Sequence, residues 1–225
     1  SLSTYKIKTK YRLRQGSFGS YDDLKSIESE EIIRSNSTIT EEEILSLRPL
    51  HWLIWFGWNH GFLKPALRFA HSEYGINPLD VMIEIVEKCH ESHPKISELF
   101  SVFFKDAEDE WFESREELQK FYFQSENWNA LFSQGFSKAE FKYNSLLILQ
   151  KDLYEDMLKL THEILKGFDS SIEVEFLFSL MKKMSLHPDL FFNGSIVDEK
   201  KYISIPGHLA KYVLDLGAAK SDHQG

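Results

Sequence analysis

From Tyr5 to Arg14 the chain reads YKIKTKYRLR, with uncharged residues alternating with the cations Lys6, Lys8, Lys10, Arg12 and Arg14. A period of two puts successive side chains on opposite faces of a strand, so this stretch predicts a β-strand with one basic face. Gln15 to Asp23 holds two glycines and two aspartates and reads as a turn-rich loop, and Glu31 to Ile39 reads as a second extended stretch. At Thr40 the period changes. Thr40-Glu41-Glu42-Glu43 is a capping box flanked by Ile39 and Ile44, and it predicts a helix start.

From Ile44 to about Asn59 apolar residues surround the helix axis, which predicts a central helix, with Gly61 as its breaker. A second helix is expected over Phe62 to Tyr74, ending at Gly75, and Asn77-Pro78 opens a third that runs to about His90. His93-Pro94 opens another. Ser114 to Glu117 offers a capping box for a segment reaching Phe123, and Ser137 to Glu140 offers one for a helix of about thirty residues, with Gly167 at its left-handed cap. Ile172 to Phe178 alternates like a strand, but Leu177, Leu180, Met181 and Met184 keep helical spacing, so the pattern favours a helix over 171–186. Ser195 to Val197 and Tyr202 to Ile205 suggest a short hairpin, and Gly207 to Leu216 a last helix.

The fold class that follows is mainly α: a multi-helix, bundle-like domain over 40–216, preceded by a small β element over 1–39, with a short C-terminal hairpin and a flexible tail over 217–225. The formal net charge of -9 is unevenly spread. Residues 1–20 hold five cations and no acid, and the remainder holds 21 basic and 35 acidic residues. An acidic body argues against a nucleic-acid partner, because such binding draws its affinity from cations facing phosphates. No apolar run approaches the roughly 20 residues that span a bilayer, so no membrane partner is expected. The single cysteine, Cys89, excludes an internal disulfide and fits a cytoplasmic location.

Two groups of residues invite chemistry. Glu87, Cys89, His90 and His93 form a ligand-like cluster, but only one E-x-x-H spacing is present and a solvated helix end accounts for it. Arg48, His51, Trp55 and Trp58 fall along one helical face that can line a pocket for a flat or anionic ligand, or an interface. An aromatic stripe at helical spacing is more often core. No nucleophile elbow, phosphate-cradling loop or zinc signature is present, and acidic runs such as Glu30-Glu31 and Asp106 to Glu110 read as solvated faces. No catalytic, cofactor-binding or metal-binding residue is assigned to this chain.

The segments KIKTKYRL (6–13), GSFGSYDDLKSIESEEIIRSNSTITEEE (16–43) and LRPLHWLIWFGWNHGFLKPALRF (47–69) resemble the region that follows the catalytic barrel in radical SAM proteins carrying an N-terminal cobalamin (B12)-binding domain. The likeness covers about the first 75 residues. It implies a parent enzyme of methyltransferase or oxidoreductase type, with a [4Fe-4S] cluster on a C-x-x-x-C-x-x-C loop, S-adenosylmethionine and cobalamin. It also implies upstream radical SAM and B12-binding domains as partners in the same polypeptide. None of those binding elements lies here, so the chain is expected to be a non-catalytic accessory domain. The strand with Lys6, Lys8, Lys10, Arg12 and Arg14 would then lie at a domain border, its cations facing either the acidic helical body or a neighbouring domain. Two further readings stand beside this one: an independent all-helical protein-interaction module, and a small-molecule enzyme using the Arg48, His51 and Trp55 face.

Overall fold

The computed structural model describes residues 4–22, 24–134, 137–184 and 205–213. The chain is mainly α with a small N-terminal two-stranded sheet. It divides into two compact units, one formed by Ser1–Pro49 with Phe100–Tyr143 and the other by Leu50–Leu99 with Asn144–Gly225.

In the first unit β1 (Lys8–Tyr21) and β2 (Leu24–Ser35) form a long antiparallel hairpin. The strand expected to stop at Arg14 runs on to Tyr21. The glycines that read as a loop serve the sheet instead: the register slips between Leu13 and Phe18, and Gly16, at φ 68°, takes up the surplus residues as a bulge. The chain reverses only at Tyr21 to Leu24, with Asp22 at φ 53°. After β2 the Asn36 carboxamide oxygen accepts from the Thr38 and Ile39 amides at 2.8 and 3.1 Å, so the stretch expected to be extended to Ile39 is in part a side-chain-closed turn.

That turn delivers Thr40. Its hydroxyl accepts from the Glu43 amide at 3.1 Å, and the Glu43 carboxylate accepts from the Thr40 amide at 2.7 Å, the reciprocal box the sequence predicts. The helix that follows is not continuous. It comprises α1 (Glu41–Ser46), α2 (Arg48–Leu53) and a π-helical turn, Ile54–Asn59. Pro49 has no amide hydrogen to continue the first ladder but is tolerated in the first turn of a new helix. In the π turn, a Cβ placed on Gly57 would stand 3.2 Å from the Leu63 side chain, so Gly57 lets Leu63 pack close against the turn.

The rest of the chain is helical: α3 (Lys64–Tyr74), α4 (Pro78–Ser92), α5 (Pro94–Asp109), α6 (Arg115–Tyr122), α7 (Ser125–Gln134), α8 (Ala139–Leu149), α9 (Lys151–Phe168), α10 (Glu175–Met184) and α11 (Gly207–Val213). Gly75 closes α3 in the left-handed region at φ 70°, and the Asn77 side chain caps the Leu79 amide at 3.0 Å, both as expected. Ser114 caps α6, although the Glu117 carboxylate reaches the Glu113 amide rather than that of Ser114.

Three expectations need correction. The thirty-residue helix breaks at Gln150, which is extended at φ -101° and ψ 92°. Gly167 lies inside α9, and the helix ends in an extended Asp169 rather than a left-handed glycine. Ile172 to Val174 precede the helix expected from 171, so α10 begins at Glu175. The suggested hairpin at 195–197 and 202–205 lies, apart from Ile205, outside the described residues, as does the tail over 217–225.

The second unit packs α3 against α4 and α11, and α4 against α9, over a fully buried apolar centre of Trp52, Phe56, Leu63, Leu67, Ile85 and Met157. Phe56 stacks on Phe62 with centroids 4.5 Å apart, and the Trp52 indole N–H donates to Asn144 Oδ1 at 2.8 Å. Cys89 on α4 is wholly buried in this unit.

Candidate functional site

The first unit is organised around Trp111, which follows α5 and donates its indole N–H to the Ala107 carbonyl at 2.8 Å. Three guanidinium groups approach its ring: Arg34 at 4.3 Å, Arg12 at 4.7 Å and Arg48 at 5.9 Å from the centroid. An indole face attracts one cation, but three so close repel one another, so the arrangement requires interleaved anions.

The carboxylates supply them. Glu110 accepts from Arg12 Nη1 at 2.9 Å and from Arg48 Nη2 at 3.1 Å. Glu140 on α8 accepts from Arg48 Nη2 at 2.7 Å, and Glu30 on β2 accepts from Arg12 Nε and from Lys138 Nζ. Around the margin Glu41 pairs with Arg34 at 3.3 Å and with Lys10 at 3.0 Å, and Lys10 also reaches Glu113 at 2.9 Å. Arg12 and Arg34 are 8% and 2% exposed, so this is a buried network that joins the hairpin, α1, the end of α5 and the start of α8.

Burial is the largest influence on the three groups at its centre, and it has different outcomes. For Arg12 the loss of water is outweighed by Glu110, Glu30 and Glu140, which hold its pKa above the ordinary value. For Arg48 it is not outweighed, because Arg12 and Arg34 push against the attraction of Glu140 and Glu110, and the pKa is lowered. Burial raises the Glu110 carboxyl despite Arg12 and Arg48. Burial, with the Glu110 charge beside it, also lifts the Tyr122 phenol to about 12. Glu30 goes the other way: burial is overcome by its bonds to Lys138 and Arg12, and its pKa falls. Arg48 Nε and Glu140 Oε2 are buried without a hydrogen-bond partner among the described residues. A network like this fixes geometry more than it adds stability, since removing charges from water costs about what their attraction returns.

The Ser137 capping box does not form. Glu140, its expected acid, is drawn to Arg48, and the first α8 turn instead closes on the Lys138 carbonyl.

Arg48 is therefore committed to carboxylates of the first unit. His51, Trp55 and Trp58 belong to the second. His51 is exposed, the half-buried Trp55 ring meets His60 edge-on at 4.4 Å, and half-buried Trp58 has Lys64 Nζ 5.8 Å from its centroid. Of the basic strand, Lys10 and Arg12 face the unit's own carboxylates, Arg14 pairs with Glu28 at 2.9 Å with both side chains 63% exposed, and Lys6 and Lys8 are exposed. The ligand-like cluster near the end of α4 separates: His93 meets Glu163 at 3.0 Å, His90 meets Ser97 at 2.6 Å, Glu87 is exposed, and the Cys89 thiol donates to the Val86 carbonyl at 3.3 Å.

Among the described residues no group of three or more His, Cys, Asp or Glu side chains is placed to hold a metal, and no helix is long and apolar enough to cross a membrane. The iron–sulfur cluster implied by the resemblance needs three thiolates. This chain has one thiol, buried and with its pKa raised by that burial, so the residues present do not fit such a cluster. An open depression of about 830 Å³ in the second unit is lined by Phe69, Glu73, Lys166, Glu175, His208 and Lys211 among others, with charges of both signs.

The sequence carries only faint signals of the Trp111 network. Asp106 to Glu110 resembles a solvated acidic face, and only the residue that follows it, a tryptophan, and the unpaired excess of cations in β1 mark it as an interior. The fold and this network define a mainly α protein in which a long hairpin is fastened to helices by buried charge. No family model, curated protein or solved structure matches the chain.

Proposed function

We propose that this chain is a non-catalytic accessory domain of a larger enzyme, following the barrel of a radical SAM protein with a B12-binding domain, where it shapes domain assembly or substrate access. The observation that carries the accessory role is the use made of the clustered charges. Arg12, Arg34 and Arg48 are spent on Glu30, Glu41, Glu110 and Glu140 around Trp111, so the most reactive-looking groups of the first unit serve to hold the hairpin in place. The parent class rests on the likeness in residues 6–13, 16–43 and 47–69. Cluster, S-adenosylmethionine and cobalamin chemistry would belong to the partner domains.

The coding sequence upstream of Tyr5 tests the parent class: a C-x-x-x-C-x-x-C region is expected, and a different upstream reading frame overturns it. In the parent enzyme, deletion of residues 5–213 is expected to leave the iron–sulfur absorption intact and to abolish turnover of the full-size substrate. Unchanged turnover would overturn the accessory role.

A second reading, an interaction module that acts by itself, is favoured by the hairpin tip, where Tyr21 and Leu24 are 73% and 75% exposed. A chain that stays monomeric and binds no apolar dye would count against it.

A further inference from the structure

The two long edges of the hairpin are not equivalent. Tyr11 of β1 donates its amide to the Phe112 carbonyl at 2.9 Å and accepts from the Phe112 amide at 2.8 Å. Both of its main-chain groups are thereby turned away from β2, and the outer edge of β1 is closed at its middle.

The same bonds fix the parity of β2. Tyr11 lies opposite Glu31, and the pairing runs without a slip from Thr9 opposite Ile33 to Leu13 opposite Ser29. In an antiparallel pair, residues that do not exchange hydrogen bonds with each other point their amides and carbonyls outward, and every second residue shares that state. The main-chain groups of Ser29, Glu31 and Ile33 therefore point to the free side of β2. No described residue bonds to them there. Glu31 and Ile33 are exposed, Ile33 by 48%, and so is Glu28. The two cations of β2 are occupied elsewhere, Lys25 over Trp128 and Arg34 over Trp111 with Glu41. Of the acids along this edge, Glu31 accepts from the neutral Thr9 hydroxyl at 2.6 Å, and Glu28 is held by Arg14 only in a pair exposed on both sides, so the edge keeps an acidic character centred on Glu31.

We propose that the outer edge of β2 is a strand-addition site for an extended, cationic segment of a partner polypeptide, paired antiparallel to residues 28–33. Main-chain bonds to Ser29, Glu31 and Ile33 supply the attachment, and side chains supply the selectivity. The segment carries an apolar residue opposite Ile33, a cation opposite Glu31 and a second cation opposite Glu28, where it exchanges with the exposed Arg14. A second copy of this chain does not fit. Its β1 edge is closed by Phe112, and an antiparallel β2–β2 pairing centred on Glu31 sets like charges against each other. The proposal rests on the docking role given above, but the two fail separately: the upstream coding sequence decides the parent class, and peptide binding decides the edge.

The test uses the full chain and a fluorescein-labelled peptide, Thr-Ile-Thr-Lys-Thr-Thr-Lys-Thr, followed by anisotropy, with a counterpart in which both lysines are glutamates. The lysine peptide is expected to bind, more weakly as salt rises, and the glutamate peptide to bind at least about tenfold less tightly. Glu31→Pro deletes an amide that the hairpin itself does not use, so it is expected to abolish binding while the chain still unfolds in one cooperative melt, lowered only by loss of the exposed Thr9 bond. Glu31→Lys is expected to reverse the preference between the two peptides, which keeps the test decisive should the proline variant fold poorly. Equal binding of both peptides, no binding, or a Glu31→Lys chain that keeps the original preference overturns the proposal. A concentration-dependent dimer in sedimentation that competes with the peptide overturns the choice of partner.

Discussion

At the centre of the first unit the indole of Trp111 is shared by three arginines held apart by carboxylates, whereas in the second the buried Trp52 stacks on Phe56 and donates to Asn144. Both centres are built on tryptophan, wholly buried in the second unit and half-buried in the first. They differ in what a lost side chain leaves behind. Truncation in the second unit leaves a void, which costs the contacts of its walls. Truncation in the first leaves a charge without its partner, which costs the solvation that partner replaced.

The largest effect is expected in the apolar centre. Trp52→Ala should lower unfolding free energy by about 3 to 5 kcal/mol in urea melts, because the indole is wholly buried and its removal also strands Asn144. Glu110→Gln keeps the volume but leaves Arg12 and Arg48 facing each other. A loss of about 3 kcal/mol is expected in the same melts. If Glu110→Gln proves neutral, the network is not a structural centre and the contrast between the units fails.

Acid sharpens the same comparison with a smaller effect. The Glu30 and Glu41 carboxyls have folded pKa values below 4.5: each works against burial, Glu30 through Lys138 and Arg12, Glu41 through Lys10 and Arg34. Their contribution is fully present above pH 4.5 and is lost as pH falls through the lower folded values. Glu110, raised in the folded state, has the opposite sign and offsets part of it. Urea midpoints measured downward from pH 5 should therefore fall, and Glu30→Gln should flatten that limb. The smallest effect belongs to the rim: Arg14→Ala removes a pair exposed on both sides, and its change should be lost within the error of the melt.

Sequence alone reached the local signals and missed what they were used for. The box at Thr40, the caps at Asn77 and Ser114 and the left-handed Gly75 were legible because a cap is set by residues three or four positions apart. The run through Gln15 to Tyr21 was misread because a bulge and a turn call for the same glycines, and only the partner strand distinguishes them. Ser137 failed as a cap because Glu140 had a stronger claim on it from Arg48, ninety-two positions away. Arg12 and Arg48 were singled out as unusual, but Trp111, Glu110, Glu140 and Arg34 were not. Buried charge is compensated in space, and along the chain its members look like ordinary surface. The open edge of β2 was equally hidden, since it depends on which way Tyr11 faces.

Cys89 gives the second unit a property that the first lacks. A thiol that is wholly buried, with its pKa raised by that burial, is out of reach of a disulfide reagent until the helices around it part. As the only thiol in the chain, it makes every reaction event a record of one place opening. The second unit therefore carries its own clock, one that needs no attached label.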